Sequence, residues 1–108
     1  MKLKSVVLVS MLAIGMSANA VTKRAVPSCE AWVEEQVTES WPAIAQRAWV
    51  IGYLSGLASG TRKDAIKGTD SDSIFRFVGN YCKANPLKGT DDAADELFFE
   101  LTKQKGSK

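Results

Sequence analysis

The sequence contains no histidine and only two cysteines. The lack of histidine excludes Ser-His-Asp and Cys-His catalytic triads, as well as the usual histidine-containing zinc sites. No glycine-rich stretch ends in Gly-Lys-Ser or Gly-Lys-Thr, so the sequence has no phosphate-binding loop of the Walker type. Cys29 and Cys82 stand too far apart for the C-x-x-C motif of thioredoxin-like redox enzymes. These absences predict a protein that is not an enzyme and uses no cofactor.

The acidic residues form no recognisable metal or catalytic motif. Asp70 and Asp72 alternate with serines, but the later glycine and glutamate of an EF-hand calcium loop are missing, and helix capping explains the pattern better. Glu96 and Glu100 are four residues apart, which places both carboxylates on one solvated helix face. We therefore predict no metal site. The alternative of a small toxin or enzyme, with a site assembled from scattered residues, stays open.

One long apolar run stands near the N-terminus. Lys2 and Lys4 precede this run at residues 5–16, and small residues follow it at 18–20. A run of about twelve residues is too short to span a bilayer, which needs about twenty, and the order of these features is typical of a secretory signal peptide. We predict cleavage near Ala20 and a periplasmic protein of a Gram-negative bacterium, without stable membrane insertion of the mature chain. A buried N-terminal helix and a short anchor are the alternatives.

The mature chain, residues 21–108, has no net charge by this prediction. The whole sequence has 14 basic and 12 acidic residues, and removal of a signal peptide over 1–20 takes away Lys2 and Lys4. The remaining charges are interspersed, apart from a basic tail at 103–108 that is typical of a solvated chain end. This balance predicts no nucleic-acid partner. The expected partner is another protein of the cell envelope.

The two cysteines of an exported chain favour a disulfide bond. An even count in an oxidising compartment is typical of a pair, and Cys29 with Cys82 allows one intramolecular connectivity. Closing a loop of about 54 residues restricts the unfolded chain by about 4 kcal/mol in the chain-entropy model. Two free thiols or an intermolecular bridge are the alternatives at this stage.

Apolar residues recur at spacings of three and four along the mature chain, and this pattern predicts an all-α fold. We expect a single helical domain over 21–108, folded as a compact bundle of about four helices with one disulfide. Residues 21–27 form an extended lead-in, since Pro27 opposes a helix there. Ser28 then caps a first helix over about 28–38. Its inward stripe is expected to consist of Cys29, Trp32, Val33 and Val37.

A second helix is predicted over about 40–59, with Pro42 in its first turn and Gly60 as its stop. Residues 48–60 carry no charge. A helix that is apolar nearly all round is one that neighbours surround, so we expect it at the centre of the fold. Three glycines repeat every four residues on one side and are expected to let another helix backbone approach closely. They are Gly52, Gly56 and Gly60.

A polar connection at 61–70 leads to a third helix, predicted over about 72–84. Asp70 or Ser71 caps this helix, and Pro86 follows its end. Its inward residues are expected to be Ile74, Phe77, Val78, Tyr81 and Cys82.

A fourth helix is predicted from Thr90 or Asp91 to about Lys103. Its inward residues are expected to be Ala93, Ala94, Leu97, Phe98 and Leu101. Phe99 lies almost opposite this stripe and is the expected exposed aromatic residue. Four other aromatic residues are expected to pack in the core rather than to contact a ligand; they are Trp32, Trp49, Tyr53 and Tyr81.

Three short motifs resemble those of small periplasmic helical proteins with one disulfide. The motifs are Cys29-Glu30-x-Trp32, Gly-Tyr-Leu-Ser-Gly-Leu at 52–57, and Tyr81-Cys82. This group includes the HdeA/HdeB acid-stress chaperones, and immunity proteins that inhibit amidase effectors of type VI secretion are built to a similar plan. The segment 73–101 also resembles an unassigned family of exported bacterial proteins. The likeness covers the layout of most of the mature chain and implies the bond between Cys29 and Cys82.

The resemblance implies two ways of binding a protein. A chaperone of the HdeA kind would loosen at low pH, as protonated carboxylates leave basic charges unopposed, and expose apolar helix faces. An immunity protein would present a rigid loop or helix end to an enzyme cleft, for which the connections at 61–70 and 85–89 are suited. Candidate partner contacts are Phe99, Arg62, Lys63, Asn85 and Lys88. We therefore expect an exported protein-binding module, with an accessory component of an envelope secretion or conjugation apparatus as the alternative.

Overall fold

The structure, a computed structural model, describes residues 21–106 and confirms the all-α prediction. Four helices follow one another in a compact globule: α1 (Cys29–Glu35), α2 (Trp41–Thr61), α3 (Ser71–Ala84) and α4 (Thr90–Gly106). Within residues 21–106 the β-structure consists of one isolated antiparallel bridge, between Ser28 and Gly89. The predicted signal peptide over 1–20 lies outside the described residues, as does the end of the basic tail at 107–108.

Helix α1 begins where the sequence predicts and ends earlier. The Ser28 hydroxyl accepts a hydrogen bond from the Ala31 backbone N–H, which caps the helix. Beyond Glu35 the chain turns, and the Thr38 hydroxyl donates to the Glu35 carbonyl oxygen that a longer helix would have used. Two of the four residues of the expected inward stripe are therefore not in the core. Cys29 and Trp32 are buried, whereas Val33 is exposed and Val37, in the turn, is 82% exposed.

Helix α2 is the longest helix and packs chiefly on α4, with a smaller contact to α1. Ser40 caps its N-terminus by accepting from the Ala43 N–H, and Pro42 lies in its first turn. The helix ends two residues later than expected, at Thr61, and Arg62 takes the left-handed conformation that stops it.

The expectation that neighbours surround α2 is wrong. Only three of its residues are buried; they are Ala43, Val50 and Leu54. A side chain added at any of its three evenly spaced glycines, Gly52, Gly56 and Gly60, meets nothing within 4 Å. No helix among the described residues packs against that side, because α1 and α4 approach α2 from its other faces.

Helices α3 and α4 supply most of the core and follow the predicted pattern closely. Asp70 caps α3 by accepting from the Ser73 N–H. The predicted inward residues of both helices are buried or half-buried; the buried ones are Ile74, Val78, Cys82, Ala93, Ala94, Leu97 and Phe98. Helix α4 runs about one turn beyond the predicted end at Lys103. Its Lys105 ammonium donates to the carbonyl oxygens of Asp64 and Lys67, which anchors the α2–α3 connection.

A disulfide bond joins Cys29 to Cys82, as predicted, with a Cα–Cα distance of 4.7 Å. It ties the start of α1 to the end of α3, and both cysteines are fully buried. Beside it the chain segment around Ser28 runs along the α3–α4 turn, where the Cys29 N–H donates to the Lys88 carbonyl and the Thr90 N–H donates to the Pro27 carbonyl. The disulfide and these backbone hydrogen bonds therefore fix the start of α1 to the end of α3 and to the α3–α4 turn.

Candidate functional site

An open groove of about 480 Å³ runs between α1 and α3 towards α2. It exists because α2 makes little direct contact with α3, so that α1 fills only part of the space between them. Its residues come from α1, the α1–α2 turn, α2 and α3; they are Trp32, Val33, Gln36, Val37, Glu39, Arg47, Asp72, Phe75, Arg76, Gly79 and Lys83. We call this surface the α1–α3 groove.

The groove continues onto α2 as a shallower apolar depression. Arg47 and Phe75 line both surfaces, and α2 adds Ile44, Ala48, Ile51 and Gly52. Trp41, which is 81% exposed, stands one turn before Ile44 on the same helix face. Large exposed apolar side chains thus cluster around the groove. In the part of the chain that the structure describes, no other element covers them.

A pair of aromatic side chains, the buried Trp32 and the half-buried Phe75, forms the floor of the groove. The rings of Trp32 and Phe75 lie 6.0 Å apart at a tilted angle, and Gly79 follows Phe75 by one turn of α3. The Arg47 guanidinium stacks over Phe75, 5.9 Å from the ring centroid. Trp32 was expected in the core, and it is only 2% exposed. It was not expected to line an open surface, but part of its side chain borders this groove.

Gln36 fixes the groove wall at the end of α1. Its amide nitrogen donates to the Gln46 side chain at 3.0 Å and to the Ala43 carbonyl at 3.4 Å, while its amide oxygen accepts from Arg47 Nε at 2.7 Å. These bonds join α1 to α2 and hold the Arg47 guanidinium in place over Phe75. The wall is therefore preorganised, and a partner would meet it without first having to order it.

A separate polar cluster clamps the N-terminal lead-in onto α2 and α4. The Lys23 ammonium donates to Asp91 at 2.9 Å and lies 3.6 Å from an Asp95 carboxylate oxygen, and the Tyr53 hydroxyl donates to Asp95 at 2.6 Å. Trp49 stacks on Tyr53 and donates its indole N–H to the Arg24 carbonyl. Trp49 and Tyr53 thus pack, as predicted, although they pack partly on the lead-in.

Lys23 and Tyr53 of this cluster keep their protons at neutral pH. The hydrogen bond to Asp91 raises the pKa of Lys23 above its ordinary value, and burial together with the hydrogen bond to Asp95 raises the pKa of Tyr53. A lysine or tyrosine used as a general base needs its pKa lowered instead. The cluster therefore has a structural role, because its hydrogen bonds and ion pairs hold the segment around Lys23 on α2 and α4.

The five predicted partner contacts do not come together on one surface. Arg62 and Lys63 follow the end of α2, whereas Asn85 and Lys88 lie in the α3–α4 turn, about 20 Å away along the 14 residues of α3. Phe99 projects from α4 and is 62% exposed, as expected. Asn85 is half-buried, and its amide donates to the Tyr81 carbonyl. None of the five lines the α1–α3 groove.

Sequence reasoning missed the groove because it assigned Val33 and Val37 to the core. The sequence does contain a sign that Val37 lies outside the helix. Thr38 is typical of a helix end, and Ser40 is typical of the cap of a new helix. A helix that stops at Glu35 has too few turns to bury Val37.

No helix within residues 21–106 is long and apolar enough to cross a membrane. Over the same residues, no three or more Cys, Asp or Glu side chains are grouped in a way that could hold a metal ion. The described part of the chain is a disulfide-linked domain of four helices with an open, partly apolar surface between α1 and α3. No protein-family model matches the chain significantly, and neither do the curated proteins or the solved structures that were compared with it.

Proposed function

We propose that this chain is an exported, non-catalytic protein-binding module that holds its partner in the α1–α3 groove. The main observation in support is a cluster of exposed large apolar side chains around a preorganised, concave surface. The cluster includes Val33, Val37, Trp41 and Ile44. Exposed apolar patches rimmed by polar groups are typical of protein interaction sites. Export is supported by the N-terminal sequence pattern and by the Cys29–Cys82 bond, since such bonds persist in oxidising compartments.

The contacts of the fold favour binding in the folded state over acid-triggered opening. Within residues 21–106 the ion pairs are those of Lys23 with Asp91 and Asp95, at the surface. Surface ion pairs contribute at most about 1 kcal/mol each, so the loss of these two pairs at acid pH removes little native-state stabilisation. A folded-state binder corresponds to an immunity-like inhibitor or to an accessory component of an envelope apparatus, and the identity of the partner distinguishes these two.

Site-specific photo-crosslinking in the source bacterium tests the proposed function. A photoreactive phenylalanine analogue replaces Val37 in the groove or, as the matched control, Phe99 on the outer side of α4. We expect one discrete protein adduct from position 37 at neutral pH and none from position 99. An adduct at position 99 alone would move the interface to α4. Many adducts that form only at about pH 3 would instead identify an acid chaperone.

A further inference from the structure

The indole N–H of Trp32 is an unpaired hydrogen-bond donor in the α1–α3 groove. Trp32 is 2% exposed, and its Nε1 lies 3.7 Å from the position that a Cβ on Gly79 would take. No acceptor within residues 21–106 bonds this nitrogen. Among the side-chain nitrogen and oxygen atoms of those residues, Thr102 Oγ1 is the one that is fully enclosed without a partner. The Trp32 nitrogen therefore keeps an open edge, and it lies beside a glycine that also lines the groove.

The Trp32 N–H opens onto the groove, where water can reach it. Tryptophan N–H groups on largely buried rings normally find a hydrogen-bond partner, so this edge of the groove can take an acceptor from a bound molecule. Gly79 leaves the nitrogen accessible, because any larger residue would place side-chain atoms between it and the groove. A carbonyl or carboxylate oxygen brought by a partner would complete the bond.

The Trp32 N–H and Gly79 together form a notch in the groove, and basic side chains surround it. Arg76 and Lys83 stand three and four residues to either side of Gly79, which places all three on one face of α3. Arg47 faces them across the groove; its Nε is bonded to Gln36, and its terminal nitrogens have no bond within the described part of the chain. Neither Arg76 nor Lys83 has an ion pair there. The notch thus combines an unpaired neutral donor with three cationic groups.

Two acidic residues, Glu39 and Asp72, also line the groove. Helix α1 runs antiparallel to α3, because Cys29 meets Cys82 at one end whereas the chain after α1 approaches the start of α3. Glu39, in the α1–α2 turn, and Asp72, in the first turn of α3, therefore stand away from Lys83. Asp72 stands one turn before Arg76 on α3, and Lys83 also lines a neighbouring depression with Glu30 and Glu34. The groove lining therefore has three basic and two acidic residues, and the apolar residues Val33, Val37 and Phe75 lie between its walls.

Resting on the proposed function, we propose that the groove recognises a partner segment in which a carboxylate stands next to a large apolar side chain. The carboxylate accepts from Trp32 Nε1 and is neutralised by Arg76 and Lys83. The apolar side chain packs on Phe75 and the exposed valines Val33 and Val37. An acidic partner segment fits this end of the groove better than a basic one, because like charges placed on Arg76 and Lys83 would be repelled.

Selection from a displayed library of random twelve-residue peptides tests the proposal with the oxidised protein as bait. Peptides are retained only if they bind the native chain and fail to bind the double variant Arg76→Glu, Lys83→Glu. We expect these groove-dependent peptides to be enriched in Asp or Glu next to Leu, Ile or Phe. Groove-dependent peptides without acidic enrichment would overturn this inference alone. A selection that yields no groove-dependent peptide would contradict both this inference and the proposed binding function.

Synthetic peptides from the selection then locate the carboxylate. Replacing the acidic residue by its amide should weaken binding at least tenfold, and Arg76→Glu should do the same to the parent peptide. Lys103→Glu, an exposed charge reversal on α4, is the matched control and should leave affinity unchanged. In ¹⁵N-labelled protein the Trp32 indole signal should move downfield on binding. A Trp32 signal that stays in place, while the peptide binds, would overturn the assigned hydrogen bond.

Discussion

Trp32 combines two roles that sequence patterns do not separate. Its ring is buried against Phe75 and the disulfide-linked core, while one edge of the same indole opens onto the groove beside Gly79. A periodic pattern identifies the buried position correctly, because burial of the ring follows from its spacing to Cys29. The open edge depends on a glycine 47 positions further along the chain, which no local pattern relates to Trp32.

Gly79→Ala separates stability from binding at this notch. The added Cβ would lie 3.7 Å from Trp32 Nε1, an ordinary contact, so we expect the helix preference of alanine to raise the free energy of unfolding by up to about 1 kcal/mol. The same methyl group should weaken peptide binding by covering the N–H. Urea unfolding and peptide titration measure the two effects.

Asn80→Ala is the matched control for that substitution, since Asn80 is exposed on the neighbouring face of α3. It should also stabilise the helix and should leave peptide affinity unchanged. Equal loss of binding in both variants would show that Gly79 has no special place in the groove.

The cap at Asp70 predicts how α3 responds to acid. Hydrogen bonds from the Ser73 hydroxyl and N–H lower the pKa of Asp70 below its ordinary value. A lowered folded-state pKa contributes stability above the unfolded-state value, and this contribution is lost as the pH falls below that value. Asp70→Asn keeps an acceptor and removes the charge. We expect its melting temperature to lie below that of the native chain at neutral pH, with the gap closing as the pH falls below the ordinary pKa of aspartate. Thermal unfolding followed by circular dichroism measures both, and a gap independent of pH would contradict the prediction.

At the scale of elements, α2 and α3 show how much a helical pattern reveals. Helix α3 alternates sharply between apolar and charged faces, so its buried residues Ile74, Val78 and Cys82 are predictable from spacing alone. Helix α2 is uncharged over 48–60, and such a helix has no preferred inward side. Its packing partner α4 decides which face is buried, and the glycine face remains open among residues 21–106.

Two glycine substitutions test that the open face of α2 is free of packing in the chain. Gly52→Ala and Gly56→Ala introduce a Cβ that meets nothing within 4 Å. Each should raise the free energy of unfolding by about 1 kcal/mol through helix propensity. Chemical unfolding of the purified protein is the measurement.

Gly89→Ala provides the contrast. A Cβ there would overlap the Asp91 carboxylate and would lie 3.3 Å from Val26 Cγ1, so this variant should be destabilised. Destabilisation by Gly52→Ala or Gly56→Ala would mean that another element, or a second molecule, covers the α2 glycine face.

For the molecule as a whole, the disulfide determines whether α1 stays on the bundle. Helix α1 has seven residues, too few to be stable by itself, and is held by Trp32, by Gln36 and by the bond from Cys29 to Cys82. Because α1 supplies one wall of the groove, the disulfide also maintains the candidate binding surface.

Replacing both cysteines by serine should therefore affect stability and binding together. We expect the free energy of unfolding to fall by up to about 4 kcal/mol from the loss of the cross-link across a 53-residue separation. Faster amide exchange should appear first in α1, and binding of groove-dependent peptides should weaken with it. Unchanged exchange in α1 would show that side-chain packing holds this helix without the bond.

For residues 21–106 the sequence by itself determined the helical class, the number of helices and their beginnings, because capping residues such as Ser28, Ser40 and Asp70 act on backbone groups within their own first turn. It also indicated the cysteine pair, which follows from an even count in a chain that is predicted to be exported. The tertiary structure decided which face of α2 is buried, where Val37 lies and how far α2 stands from α3. Those features depend on contacts between residues far apart in sequence, and the α1–α3 groove is the space that such contacts leave open.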